Sequence, residues 1–144
     1  MLPSLQHGPL LQASALAEQI PPLRILIVED NVDSAEMMGE LLQALGHEVS
    51  VVDDGAKALD YLRTHSADLA LCDLGLPGLS GYELAEAVRA EPNLRQLTLI
   101  ALTGYGQETD RQRSLAAGFN AHLTKPVDLA TLSQTLLKLL PTAR

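Results

Sequence analysis

The chain has 144 residues, 47% of them hydrophobic, with eighteen acidic against ten basic residues and a net charge of −8. That length suits one domain with a sizeable core, and Cys72, the one cysteine, excludes a disulfide staple and suits a reducing compartment. The acidity disfavours a nucleic-acid face or an anionic membrane surface, which need clustered Lys and Arg. No apolar run reaches the ~20 residues of a membrane span, and no Lys or Arg precedes Arg24 to start a signal peptide. A cytoplasmic domain is the expectation.

Residues 1–22 read as a linker or N-terminal tail: Glu18 is their one charged residue, Leu10 to Ile20 suggest a short helix, and Pro21-Pro22 stop it. Leu23 to Val28 is a nearly continuous apolar run, as expected of a strand covered on both faces. Ser34 to Leu45 is a predicted helix with Met38, Leu41, Leu42 and Leu45 at helical spacing, and Met38 is the better core candidate of Met37 and Met38. Glu48 to Val52 is a second strand, Ala56 to Thr64 a helix with Leu59 and Leu62 inward, and Leu69 to Cys72 a third strand ending at Asp73. Cys72 should be buried, pointing away from Asp73. His47 and His65 read as surface residues of loops or helix ends.

A loop punctuated by Gly75, Pro77, Gly78 and Gly81 leads to a helix from Tyr82 to Ala90. Leu97 to Leu102 is the fourth strand, followed by Thr103-Gly104, and a polar helix runs from Gln107 to Ala117. Phe119 to Leu123 is the fifth strand, meeting Lys125-Pro126. Asp128 caps a last helix striped by Leu129, Leu132, Leu136 and Leu139. Five strands alternating with five helices imply a doubly wound α/β fold around a parallel sheet.

Ligands of such sheets bind beyond the carboxyl ends of the strands. Glu29, Asp30 and Asn31 follow strand one, Asp73 follows strand three, Thr103 follows strand four and Lys125 follows strand five. Three carboxylates held together repel one another, and a hard divalent cation relieves this. The oxygen ligands point to Mg2+, with Mn2+ as an alternative, and no Cys/His cluster favours zinc. Three carboxylates, one lysine and a dication sum to neutrality, which suits acceptance of a phosphoryl group by a carboxylate.

Four segments carry a closer likeness: Val28-Glu29-Asp30-Asn31, Asp73-Leu74-Gly75-Leu76-Pro77-Gly78, Leu102-Thr103-Gly104 and Lys125-Pro126-Val127-Asp128. In this order, each after a predicted strand, they resemble the receiver domain of bacterial two-component response regulators, the CheY-like group, over residues 23–140, leaving 141–144 as a C-terminal tail. The resemblance implies a flavodoxin-like sheet in the order 2-1-3-4-5. It implies that Asp73 takes a phosphoryl group from a sensor histidine kinase or a histidine phosphotransfer protein. Asp30, Asp73 and the Gly75 carbonyl would hold Mg2+, with Glu29 acting through water. Thr103 and Lys125 would bind phosphoryl oxygens beside Gly104, and the peptide before Pro126 would be cis.

In the family a side chain three positions before the lysine swings with the hydroxyl residue and is usually aromatic; here it is His122, whose imidazole would add pH sensitivity. The output face would be helix four, strand five and helix five, used by a partner protein or a weak dimer of an otherwise monomeric chain. Gly75 and Tyr105 flank the phosphoryl site without an acid or amide to orient water, so slow self-dephosphorylation is expected. The reading is of a signalling domain, not an enzyme, either standing alone or as the receiver of a hybrid histidine kinase. The rival from another class is an aspartate-nucleophile phosphohydrolase, which needs an acid two residues after the nucleophile, where Gly75 stands.

Overall fold

The computed structural model describes residues 19–104 and 108–139. The helix expected before Pro21, the Tyr105 position, Gln107 and the tail at 141–144 lie outside the described residues. Five strands, β1 (Arg24–Val28), β2 (Glu48–Val52), β3 (Leu69–Asp73), β4 (Thr98–Thr103) and β5 (Ala121–Thr124), form one sheet in the order β2-β1-β3-β4-β5, and every pairing is parallel. Five helices accompany them among the described residues: α1 (Val32–Ala44), α2 (Gly55–Thr64), α3 (Gly81–Ala90), α4 (Glu108–Ala117) and α5 (Leu129–Leu139). This is the flavodoxin-like, doubly wound topology expected. Pro22–Lys125 forms one compact unit, and α5 belongs to a second. No helix among the described residues is long and apolar enough to cross a membrane.

The central strands are apolar on both faces because helices cover both faces of an all-parallel sheet. Ile25 to Val28, Leu69 to Cys72 and Leu99 to Leu102 are all buried, each large aliphatic contributing about 1.5–3 kcal/mol. One face of the sheet, with Leu26, Val28, Ala70, Cys72, Leu99 and Ala101, packs on Ala58 and Leu62 of α2, on Leu84, Ala85 and Val88 of α3, and on Ala117 and Phe119. In α5, Leu132, Ser133 and Leu136 are buried and Asp128 accepts the Thr131 N–H at 2.7 Å, as the predicted cap requires.

Several boundaries differ from the sequence expectation. Asp73 and Thr103 are the last residues of their strands, because backbone pairing continues past the apolar run, Asp73 opposite Leu102 and Thr103 opposite Thr124. β5 starts at Ala121, since the N–H groups of Gly118 and Phe119 still close α4 on the Ser114 carbonyl. The inner face of α1 is Ala35, Gly39 and Leu42, with Met38 only half-buried: the helix starts at Val32 on an Asn31 cap and turns small residues toward the sheet. His47 is not a surface residue. It is buried because its Nδ1 accepts the Leu23 N–H at 3.0 Å across the β1–β2 end of the sheet.

Candidate functional site

The parallel pairing brings the carboxyl ends of β1, β3, β4 and β5 to one edge. Glu29 continues β1 by donating its N–H to the Val52 carbonyl at 3.0 Å, and Leu74 continues β3 by donating to the Leu102 carbonyl at 3.0 Å. One oxygen each from Glu29, Asp30 and Asp73 lies within 4.8 Å of the others, Glu29 buried, Asp73 half-buried and Asp30 exposed. Lys125, held just after β5 by its N–H bond to the Thr103 carbonyl at 2.7 Å, sends its ammonium to Glu29 Oε1 and to within 3.5 Å of Asp73 Oδ2. The three carboxylates and the lysine expected at this edge are therefore together.

Each Asp73 oxygen has its own neighbour. Oδ1 accepts the Gly75 N–H at 3.1 Å, while Oδ2 faces the Lys125 ammonium. Glu29 Oε2 accepts the Asn31 N–H at 3.2 Å, and Asn31 Oδ1 in turn caps α1 through the Ser34 N–H at 2.9 Å. Burial pushes the Glu29 carboxyl above its usual range, and its bond to Lys125 only partly opposes this. Burial also works against the Lys125 ammonium, but its bonds and charge pairing with Glu29 and Asp73 outweigh it and raise its pKa.

Thr103 is buried at the end of β4 with Gly104 exposed just after it, and Pro126 is exposed. His122 is half-buried on β5, its Nδ1 3.4 Å from Ser114 Oγ of α4. Cys72 is completely buried on the strand face opposite Asp73, and its thiol is pushed up to about 12 by burial and by the Asp73 charge. Two positioning residues escaped sequence reasoning: Asn31, read only as part of a motif, and Gly81, whose missing side chain lets α3 start against the Asp73 backbone. A glycine directly before the predicted helix, eight residues after Asp73, was the available signal.

Oxygen-only donors, one of them a buried carboxylate, match what Mg2+ or Mn2+ requires. Residues 25–137 match the family model described as response regulator receiver domain. The polar-differentiation response regulator DivK of Brucella anthropi is 32% identical over 115 residues, covering 80% of this chain and 94% of DivK. The sensor protein GacS of Pseudomonas syringae pv. syringae is 34% identical over 126 residues, covering 82% of this chain but 14% of GacS. Among solved structures, the receiver domain of the sensor histidine kinase PA1611 from Pseudomonas aeruginosa PAO1, with a magnesium ion coordinated in its active-site cleft, superposes with a TM-score of 0.75 at 36% identity, covering 82% of this chain and 97% of that one. With the sheet order, the acidic cluster and the family match in agreement, the chain belongs to the response regulator receiver domains of two-component systems.

Proposed function

We propose that Asp73 is the phosphoacceptor of this receiver, taking its phosphoryl group from a histidine kinase or a histidine phosphotransfer protein. The supporting observation is the Lys125 ammonium lying between Glu29 and Asp73 Oδ2 in a cluster of three carboxylates. In the transfer, an Asp73 oxygen attacks the phosphorus of a phosphohistidine. The O–P bond forms as the N–P bond breaks, and the bonding pair returns to the ring nitrogen of the donor. The Gly75 N–H holds the other Asp73 oxygen and fixes the direction of attack. Lys125 and the Thr103 hydroxyl receive phosphoryl oxygens, placing donors where negative charge spreads. Asp30, Asp73 and the Gly75 carbonyl, with Glu29 acting through water, would hold Mg2+ or Mn2+, which supplies the remaining positive charge for the phosphoryl oxygens when bound.

His122, reaching Ser114 of α4 from β5, is proposed to shift with Thr103 and so pass the phosphorylated state to α4 and β5. The folded receiver is taken as residues 23–140. A receiver inside a hybrid sensor kinase is the second reading, favoured by the likeness to GacS. At Gly75 the site offers a backbone donor instead of an acid, which weighs against the phosphohydrolase.

Intact mass after incubation with Mg2+ and acetyl phosphate tests the assignment. One phosphoryl adduct is expected, lost in Asp73→Asn and after chelation with EDTA. No adduct, or an adduct retained by Asp73→Asn, overturns it.

A further inference from the structure

Alongside α1 runs a groove of about 570 Å3 that the phosphoacceptor reading uses only at its Glu29–Asp30 end. Its α1 wall is Val32, Glu36, Gly39, Glu40 and Gln43, a single helical stripe that extends roughly 16 Å at 1.5 Å per residue. Its floor is the β2 face, Val49 and Val51, and it ends at Glu29 and Asp30. Val32 and Val51 are 68% and 48% exposed. Gly39 sits mid-helix, where glycine costs about 1 kcal/mol against alanine. A Cβ there would meet Val49 only at an ordinary 3.8 Å, so packing does not demand the glycine.

The charge around these valines is one-sided. Lys57, the one cation of the lining, is already bound to Asp53 at 2.8 Å. Glu36 and Glu40 have no ion pair among the described residues. An aliphatic floor beneath a wall of uncompensated carboxylates at i and i+4 complements a helix with aliphatic residues along one stripe and Lys or Arg beside it. We propose that the α1–β2 groove docks a basic amphipathic helix of a partner protein. Such a helix would lie along α1 with its end against the acidic cluster. The recognition requires no phosphoryl transfer at Asp73.

Titrating the whole chain, 15N-labelled, with a synthetic helix of about twelve residues, leucines on one face flanked by lysines, tests this. A scrambled peptide of the same composition is the control. Amide shifts confined to α1, β2 and the segments just after β1 and β2 are expected, together with at least about tenfold weaker binding in the double variant Glu36→Lys/Glu40→Lys, a several-fold loss in Val51→Thr, and none in Met37→Lys, which lies outside the groove. Equal binding of the scrambled peptide, shifts spread over the acidic surface, or indifference to the double charge reversal overturns the proposal. Acetyl phosphate labelling of the same variants is expected to be unchanged and reports separately on Asp73.

Discussion

Gly81 stands so close to Asp73 that a Cβ on it would lie 2.8 Å from the Asp73 carbonyl oxygen and 2.9 Å from the Leu74 Cα. These are backbone atoms and cannot rotate away. Gly81→Ala is expected to cost about 1–3 kcal/mol, seen as a lowered urea midpoint, and to slow adduct formation by displacing Asp73. Gly104→Ala, with nothing within 4 Å of its added Cβ, is the matched control and should stay within about 0.5 kcal/mol of the parent.

Lys125→Met leaves the buried Glu29 without its cation. The Glu29 carboxyl is already raised by burial, and losing the ammonium raises it further. A carboxyl whose folded pKa exceeds its unfolded value weakens the fold once pH climbs past the unfolded value. The variant's stability deficit, about 1–3 kcal/mol at pH 8, should therefore shrink toward pH 5. Urea unfolding at the two pH values measures it, and the phosphoryl adduct should fall to a small fraction of the parent level.

His47 provides an opposite dependence on pH. Burial lowers its pKa from the ordinary 6.5, so below that value the unfolded chain takes a proton that the folded chain resists. Its contribution is complete above pH 6.5 and is lost as pH falls from there toward the lowered folded value. Unfolding curves between pH 8 and 5 should show a part of the acid destabilisation that disappears in His47→Gln.

Arg89 acts as a clasp at the end of the sheet remote from the phosphoacceptor. Its Nε donates to the Gly118 carbonyl at 2.9 Å, one terminal nitrogen to the Arg95 and Leu97 carbonyls at 2.7 and 2.6 Å, and the other to Asn120 Oδ1 at 2.9 Å. Lysine has one nitrogen for these four acceptors. Arg89→Lys should lose about 1–3 kcal/mol, with hydrogen exchange accelerating first in the Gly118–Asn120 turn.

The sheet and the site edge were legible because a parallel sheet leaves a simple trace. Buried strands such as Leu69 to Cys72 are unbroken apolar runs, so Asp73 stands out where the run stops. Lys125 and Thr103 stood out in the same way. What escaped depends on partners distant in sequence or on backbone atoms. His47 looked like a loop residue because its burial rests on the N–H of Leu23, and nothing in the sequence marks Arg89 as a clasp because three of its four acceptors are backbone carbonyls. The register that extends β3 to Asp73 and β4 to Thr103 is likewise a property of paired neighbours, which no single segment reveals.

The burial of Cys72 makes the chain a convenient host for labels. As the one cysteine, fully enclosed and with its thiol pushed up to about 12, it holds almost no thiolate at neutral pH. A maleimide dye mixed with the folded protein should leave it untouched, so a cysteine introduced at exposed Met37 would carry a single fluorophore without Cys72 first being removed. The same thiol, reached only when β3 opens, becomes a built-in clock for unfolding.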